Sequence, residues 1–309
     1  MQRFPVITAI AAGFALYALA LVGQLPGWFG VFVPGQIHGA ISLCVAVTLV
    51  FLLHGPRTEH GKKRDTDDPG RLRRLRWYDY LLVASAAVGA GYVVLFYDDV
   101  LDYGMLGFLD TKGMVLALLL VVPLLEAVRR TTGVVLPLII LFFVGVTLFQ
   151  PYMPGVLYGQ GYALDRLLYS AYVGESGIFG LPLKVAVNIV IVFTIFGALL
   201  QRSGAGRWFI DLSLALAGWS RGGPAKVAVL SSAMFGSISG SPSSNAASTG
   251  VFTIPMMKSI GYTPAFAAAV EAVASTGGMI LPPVMGAIAF VMAEWVGVGY
   301  AEVVVAATV

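Results

Sequence analysis

The chain has 309 residues and a formal net charge of +3; 58% of its residues are apolar or aromatic, 11% are charged, and its mean hydropathy is +0.85. Soluble domains carry about 25% charged residues, so this composition excludes a soluble fold and predicts an all-α polytopic membrane protein in the lipid bilayer. The basic residues concentrate in one loop, which argues against a nucleic-acid partner, and the single cysteine, Cys44, lies in an apolar run with no disulfide partner and no second metal ligand.

Two apolar runs at the start of the chain predict a helical hairpin. Pro5 to Val22 and Ile37 to Leu53 each approach the ~20 residues that cross about 30 Å of hydrocarbon. A stretch rich in glycine and proline separates them. The first run has an alternative interpretation as a cleaved signal peptide, because Arg3 precedes it and Ala18-Leu19-Ala20 resembles a cleavage site.

A polar loop from His54 to Arg76 sets the predicted orientation. It holds eight Lys or Arg residues against four acidic ones, so the positive-inside rule puts this loop in the cytoplasm, together with the N-terminus two spans before it. The later apolar runs alternate across the membrane from this starting point. They are Tyr80 to Phe96, Gly113 to Leu125 with a start that can absorb Met105 to Leu109, Gly133 to Phe149, and Val185 to Leu200.

The helical pattern breaks after Phe235. Of the next ten positions only Ile238 is apolar, and the apolar pattern resumes over Ala246 to Phe252. Non-helical backbone is tolerated at membrane depth only when it is buried in protein or lines a wet cavity. The pattern therefore predicts a re-entrant helical hairpin with a polar tip, although a surface loop between two spans, or small residues for close helix packing, would produce a similar pattern.

A second break follows some thirty residues later, at Ser275 to Pro283. Its Gly-Gly and Pro-Pro pairs lie within apolar sequence and predict a discontinuous helix, because glycine loosens the backbone and each proline removes a donor. Broken helices of this kind build midplane sites in secondary transporters. The two breaks offer hydroxyl, amide and carbonyl oxygens, which suit a hard cation such as Na⁺ and do not suit a transition metal.

Several segments are similar to the fused permeases of tripartite ATP-independent periplasmic (TRAP) transporters. Three of them are Arg221 to Ala228, Phe235 to Gly250, and Thr253 to Lys258. Glu271 to Gly278, followed by Leu281 to Gly286, resembles the version that works with TAXI-type binding proteins. The similarity extends upstream and covers nearly the whole chain.

The resemblance implies a multi-pass permease of the bacterial inner membrane that is not an enzyme and uses no cofactor, with Na⁺ as coupling ion. A small four-helix domain, residues 1–132, would be fused ahead of the first part of a large-subunit permease domain, residues 133–309. The expected activity is sodium-coupled uptake of a small organic anion, delivered by a periplasmic TAXI-type solute-binding protein. By motif match, the sodium-binding residues are Ser239, Ser241, Ser243, Ser244, Asn245, Thr276, Gly277 and Gly278.

Two features depart from the family's pattern. Met279 occupies the position after the Gly-Gly pair where the resemblance leads us to expect a glutamine. An inverted repeat should show two polar-tipped hairpins, whereas the sequence shows one and is apolar up to Val309. We therefore expect a truncated permease in which the second inverted half is absent.

Three carboxylates lie in or beside apolar stretches, where an ionisable residue is by default a functional candidate. Asp211 and Glu294 each lie near a tryptophan, which is typical of the membrane interface. Glu271 lies among alanine and valine residues, and the sequence leaves two roles open for it: a buried ion pair with Lys258 or Lys184, or an indirect contribution to cation binding.

Two other functions compete with a transporter. A re-entrant loop can line the filter of an ion channel. An intramembrane serine hydrolase is suggested by Ser239-Gly240, but a nucleophilic serine needs a base within hydrogen-bond reach, and only His38 among the histidines lies near a membrane segment.

Overall fold

The computed structural model describes residues 4–55, 76–155, 158–174, 177–282 and 285–308. Among these residues there are helices and no strands, and the chain divides into two compact units, residues 1–184 and 185–309. In chain order the helices are α1 (Phe4–Val22), α2 (Leu25–Trp28), α3 (Gly35–Leu53), α4 (Trp77–Leu95), α5 (Tyr97–Leu106), α6 (Thr111–Thr132), α7 (Val135–Phe149), α8 (Leu164–Tyr172), α9 (Leu181–Val185), α10 (Ile191–Arg202), α11 (Ala205–Ala217), α12 (Gly223–Ser239), α13 (Pro242–Ser259), α14 (Pro264–Gly277), α15 (Ala287–Val296) and α16 (Tyr300–Ala306).

The described helices confirm an all-α polytopic membrane protein. Within the described part of the chain, five helical segments are long and apolar enough to cross a bilayer, and a sixth results if the bent pair α15 and α16 is one span. The predicted basic loop falls largely on residues 56–75, outside the described residues, so the orientation of the chain stays a prediction. The five segments are Gly35–Leu53, Trp77–Leu95, Thr111–Thr132, Val135–Tyr152 and Leu181–Leu200.

The fourth predicted span differs from the observed helix at both ends. Helix α6 continues past Glu126, where the sequence predicted its end, and the residues Met105 to Leu109 lie outside it. Its start is fixed by Asp110, whose side chain accepts a hydrogen bond from the Gly113 N–H at 2.7 Å. This N-cap satisfies one of the unpaired amides of the first turn, which explains why α6 does not extend further upstream.

A buried arginine ties three helices of the first unit together. The guanidinium of Arg130 in α6 donates to Asp79 Oδ1 of α4 at 2.6 Å and to Glu126 Oε1 at 2.8 Å. It also lies 4.4 Å from the ring centroid of Phe51 in α3 and 3.3 Å from the His54 carbonyl oxygen. The Arg130 side chain is fully buried, so its charge depends on these partners rather than on water.

Close packing of α4 against α6 and α8 completes the core of the first unit. A Cβ added at Gly89 in α4 would lie 2.9 Å from Leu120 Cβ in α6, so glycine permits the close approach of these helices. The buried Tyr172 hydroxyl of α8 donates to the Gly89 carbonyl at 2.7 Å. Helix α8 is thereby fixed to the bundle by packing and by a hydrogen bond.

In the second unit, α12 and α13 form the two arms of the predicted hairpin. The sequence predicted a ten-residue break, but α12 remains helical to Ser239 and only Gly240 and Ser241 separate the arms. Ser237 is accommodated within α12, where its hydroxyl donates to the Met234 carbonyl of the same helix. The turn itself requires Gly240, which has φ +62°.

The predicted break after α14 is confirmed, with a shift in position. Gly277 and Gly278 keep helical dihedral angles, and a 3₁₀ turn continues to Ile280. Of the residues described between this turn and the start of α15 at Ala287, Leu281, Pro282, Met285 and Gly286 are not helical, and Met285 adopts a positive φ of +62°. Pro283 lies outside the described residues.

A further bend, which the sequence reading missed, separates α15 from α16. The chain bends by 111° between the two helices, and Gly297 ends α15 with φ +73°. The rings of Phe290 and Tyr300 stack across the bend with centroids 4.2 Å apart. The signal in the sequence was Gly297-Val298-Gly299, which interrupts an otherwise apolar run.

The sequence predicts that the hairpin enters and leaves the membrane from the cytoplasmic side, because Arg221 and Lys258 flank it. Both residues are exposed in the structure. In a Cys44→Ala background, single cysteines at positions 221 and 258 should react with an impermeant maleimide from the same, cytoplasmic face. Labelling from opposite faces would show that the segment between them crosses the membrane as an ordinary span, and would contradict a re-entrant hairpin.

Candidate functional site

Asn245 lies fully buried between the two arms of the hairpin, in the first turn of α13. Its Nδ2 donates to the Ser232 carbonyl of α12 at 2.7 Å. Because a carbonyl oxygen only accepts, this bond fixes the amide orientation. Asn245 Oδ1 is therefore the acceptor atom on the opposite side of the amide, 3.3 Å from Thr249 Oγ1.

Two glycines bring the broken helix against Asn245. A Cβ at Gly236 in α12 would lie 2.7 Å from Asn245 Nδ2 and 2.9 Å from Gly278 Cα. A Cβ at Gly278 would lie 2.7 Å from the Ser232 carbonyl oxygen. Side chains at either position would clash with the opposite backbone, so this contact between the hairpin and the end of α14 depends on glycine.

Ser239 lies at the end of α12 with a buried hydroxyl oxygen that has no hydrogen-bond partner among the described residues. It lines a small cavity of about 30 Å³ together with Gly240, Thr194 of α10 and Met285. A buried polar atom without a partner costs free energy of about 1 to 3 kcal/mol, and such atoms call for an explanation, such as a bound ion or water.

The other predicted ligands are placed differently. Ser241 caps α13, since its hydroxyl lies 3.4 Å from the Ser244 N–H. The side chains of Ser243 and Ser244 are exposed. Thr276 is exposed and its hydroxyl donates to the Ala272 carbonyl of its own helix at 2.8 Å. Gly277 presents no side chain and lies one residue before the Gly278 contact.

Met279 packs against the segment that follows the break. The Gly286 N–H donates to the Met279 carbonyl at 2.7 Å, and a Cβ at Gly286 would lie 2.8 Å from Met279 Cε and 3.4 Å from the Gly240 carbonyl oxygen. The thioether thus lies close to the hairpin tip. A soft sulfur is a poor ligand for a hard cation, so Met279 closes this side of the tip without adding an oxygen.

Glu271 is the most completely buried carboxylate of the described residues, with 1% of its surface exposed. Its Oε1 accepts hydrogen bonds from Ser232 Oγ at 2.7 Å, Thr249 Oγ1 at 2.5 Å and Ser275 Oγ at 3.1 Å. Its Oε2 accepts a short hydrogen bond from Thr253 Oγ1. Hydroxyls from both arms of the hairpin and from α14 therefore converge on one carboxylate.

The sequence left open an ion pair between Glu271 and Lys258 or Lys184, but the hydrogen-bond partners of Glu271 in this network are hydroxyl groups. Lys258 is exposed at the end of α13, whereas Glu271 is enclosed by hydroxyl groups. The carboxylate therefore bonds to hydroxyl groups rather than to Lys258, and an indirect contribution of Glu271 to cation binding stays a prediction.

The sequence reading missed the hydroxyls that bind Glu271, although a signal was present. Asn245, Thr249 and Thr253 recur every four residues, which puts them on one face of α13. Glu271 and Ser275 have the same spacing on α14. Two polar stripes in otherwise apolar helices predict that the stripes face each other, because lipid would leave them unsatisfied.

The side-chain oxygens near the hairpin tip are of the chemical type that sodium ions prefer as ligands. Asn245 Oδ1 is an oriented neutral oxygen, and Ser239 Oγ is a buried hydroxyl oxygen without a partner among the described residues. Na⁺ prefers such oxygen ligands. Among the described residues, no three His, Cys, Asp or Glu side chains converge in a way that would hold a transition metal.

The other two membrane carboxylates differ sharply from Glu271, since Asp211 and Glu294 are both exposed. We expect Asp211→Asn and Glu294→Gln to change the free energy of unfolding by no more than about 0.5 kcal/mol. Glu271→Ala should cost about 2 to 5 kcal/mol, because it leaves a cavity and deprives buried hydroxyls of their acceptor. Unfolding of the purified variants in detergent measures this difference, and equal stability of all three would contradict it.

The second unit, with its hairpin and its broken helix, lies in a part of the chain that matches a known transporter family. Residues 119–309 match the model of the family described as "Tripartite ATP-independent periplasmic transporter, DctM component". The chain belongs to this family. The match covers the hairpin, Asn245, Glu271 and the broken helix, so the site lies within the part of the chain that defines the family.

Individual relatives agree with the family assignment. A protein named C4-dicarboxylate TRAP transporter large permease protein DctM, from Vibrio cholerae, is 29% identical over 137 residues, which cover 44% of this chain and 28% of the relative. The protein of that name from Pseudomonas aeruginosa is 35% identical over 107 residues, covering 35% of this chain and 25% of the relative. A putative TRAP transporter large permease protein from Haemophilus influenzae is 33% identical over 106 residues, covering 34% of this chain and 25% of the relative.

The chain spans about a quarter of the length of the curated relatives it matches. No solved structure matches it. Membership of a family that is described as a transporter component favours transport over the serine hydrolase considered from the sequence.

Proposed function

We infer that this permease couples the uptake of a small organic anion to the entry of sodium, with the anion delivered by a periplasmic TAXI-type solute-binding protein. The observation that carries the inference is Asn245, a fully buried amide whose carbonyl oxygen is oriented by a bond across the hairpin. A buried, oriented neutral oxygen beside a helix break is the type of ligand that secondary transporters use for Na⁺. Ser239 Oγ and the backbone oxygens of the tip are the further candidate ligands.

The anionic character of the solute is supported by the start of α13 at the hairpin tip. An 18-residue helix begins at Pro242, and the N-terminus of a helix carries a partial positive charge that favours anions. Two of the relatives have names that refer to C4-dicarboxylates. The resemblance of Glu271 to Gly286 to TAXI-dependent permeases supports the choice of binding protein.

The proposed location is the bacterial inner membrane, with the N-terminus in the cytoplasm. The charge distribution around the spans supports this orientation, and a periplasmic binding protein can deliver a solute only to a permease in that membrane. The family match begins at residue 119, which leaves most of residues 1–132 for the small four-helix domain that a fused permease would carry.

Uptake into proteoliposomes tests the proposal. The chain, joined to a complete second half of a family permease, is purified and reconstituted with a sodium gradient directed inward, and the TAXI-type binding protein is added with a radiolabelled organic anion that it binds in a filter assay. Uptake should require both sodium and the binding protein. Uptake without the binding protein would favour a channel, and sodium-independent uptake would contradict the coupling.

A further inference from the structure

Ser239 lines a small cavity at the end of α12. Its hydroxyl oxygen is buried and has no hydrogen-bond partner among the described residues, and the cavity has a volume of about 30 Å³. A buried hydroxyl without a partner costs free energy, because it has lost its bonds to water and gained none in the protein. A partner held in the cavity would remove this cost.

Several elements of the second unit enclose the cavity. A π turn, Ala186–Val190, precedes α10 and forms one wall. The rings of Phe193 in α10 and Phe290 in α15 form another, with their centroids 5.6 Å apart. Met285, which follows the helix break, also lines the cavity and is buried. Because π turns are frequent at functional sites, this wall beside the hairpin tip draws attention to what the cavity holds.

The lining decides the charge of the partner. All described residues of the lining are uncharged, and their only side-chain oxygens are the hydroxyls of Ser239 and Thr194. A cation in the cavity would therefore lack a carboxylate to compensate its charge, and burial of an unpaired charge is costly. A neutral partner avoids this cost.

The available hydrogen bonds favour a partner that both donates and accepts. Thr194 donates its proton to the Val190 carbonyl at 2.7 Å, so its oxygen can only accept a further bond. The Ser239 hydroxyl has a proton that needs an acceptor. A cation would engage lone pairs and leave this proton without a partner, whereas a water molecule can accept it. The volume is sufficient, since a water needs about 10 to 15 Å³ by this measure.

We propose that this cavity binds an ordered water molecule, which accepts the hydroxyl proton of Ser239 and donates to Thr194. The water joins the end of α12 to α10 beside the hairpin tip. Its binding does not depend on sodium coupling. It gives Ser239 a neutral partner in place of direct contact with the ion, and it narrows the candidate sodium ligands to Asn245 Oδ1 and the backbone oxygens of the tip.

X-ray radiolytic footprinting tests this assignment, with Met285 as the reporter. Hydroxyl radicals formed from a bound water oxidise the side chains around it, and Met285 lines the cavity although only 4% of its surface is exposed. The chain is purified in detergent, irradiated and analysed by mass spectrometry. Met285 should be oxidised several times faster than Met257, which is fully buried and lines none of the described cavities.

Ser239→Val is the matched variant, because valine removes the hydroxyl and takes up part of the space. It should lower the oxidation of Met285 to the rate of Met257 and leave that of the exposed Met292 unchanged. Should Ser239→Val not fold, the Ser239→Ala/Thr194→Val variant takes its place. Met285 oxidised no faster than Met257 in the wild-type chain, or equally fast in the variant, would overturn the water site.

A comparison of salts separates water from an ion. At equal ionic strength in NaCl and in choline chloride, Met285 should be oxidised at the same rate. A lower rate in NaCl would show that sodium displaces the water, and would overturn the proposal in favour of a cation in this cavity. The uptake assay reports on sodium coupling separately, so failure of either proposal leaves the other standing.

The sign of a stability change gives an independent readout. Ser239→Ala should lower the melting temperature, because the water loses a partner; without the water, the change would remove an unsatisfied hydroxyl and raise the melting temperature or leave it unchanged. In a Thr194→Val background the loss should be smaller, since both substitutions act on one water. Ser237→Ala is the control, because its hydroxyl bonds within α12, and its effect should be equal in both backgrounds. Additive effects of Ser239→Ala and Thr194→Val would overturn the bridge.

Discussion

Asn245→Ala is expected to reduce sodium-dependent uptake at sub-saturating sodium by about tenfold or more and to shift the sodium-induced rise in melting temperature to higher sodium concentrations. The change deletes the oriented ligand oxygen and leaves the buried Ser232 carbonyl without its 2.7 Å donor. The lost donor should lower the free energy of unfolding by about 1 to 3 kcal/mol. The lost ligand should reduce uptake at sub-saturating sodium by tenfold or more, since about 1.4 kcal/mol of binding energy corresponds to a factor of ten.

The two effects are separated by measuring uptake over a range of sodium concentrations together with the melting temperature in choline chloride. Ser259→Ala is the control on the same helix, since Ser259 is exposed at the far end of α13 and its hydroxyl bonds only to the Met256 carbonyl among the described contacts. It should leave both quantities unchanged. An Asn245→Ala protein with wild-type sodium dependence would exclude this amide from the cation site.

Arg130→Ala should be the most destabilising single change in the first unit. The substitution leaves the buried Asp79 carboxylate without its 2.6 Å partner and removes the contact with Phe51. Breaking one side of a buried ion pair costs about 3 to 5 kcal/mol, because the remaining charge is neither paired nor hydrated. Chemical unfolding in mixed micelles, followed by tryptophan fluorescence, measures the loss.

The neighbouring arginine provides the control. Arg129 also bonds to Glu126, at 2.6 Å, but a third of its side chain is exposed, so Arg129→Ala should cost no more than about 1 kcal/mol. A double change of Arg130→Met and Asp79→Leu should recover much of the stability lost in Arg130→Ala, because an apolar pair avoids the desolvation of charge. Equal losses for the two arginines would show that burial of Arg130 does not govern its contribution.

Much of this fold was predictable from composition and local pattern. Apolar runs of about 20 residues predict spanning helices because the bilayer offers the backbone no other hydrogen-bond partner. Gly240 and the Gly277-Gly278 pair predicted the two interruptions, since glycine and proline act through local backbone geometry. The length of the first break was overestimated because small polar residues can remain helical, as Ser237 does with a hydrogen bond to its own helix.

The candidate site was predictable only in outline. The polar tip and the broken helix were predicted to contribute to one site, and in the structure Asn245 and Gly278 both lie close to Gly236 of α12. The participation of the predicted sodium ligands, and the domain boundary at residues 132 and 133, stay predictions. Ser243, Ser244 and Thr276 were chosen for their chemistry, and their exposure could not be read from spacing alone.

By itself, the sequence determined that this is an all-α membrane protein with two interrupted helical segments, because hydropathy and local backbone breaks are properties of neighbouring residues. Only the tertiary structure decided which hydroxyls surround Glu271, since its partners Ser232 and Thr249 lie 39 and 22 residues away along the chain. It also decided that Arg130 is buried against Asp79, 51 residues earlier. The strength of a polar contact depends on distance, orientation and burial, and these are set by how helices pack rather than by any one helix.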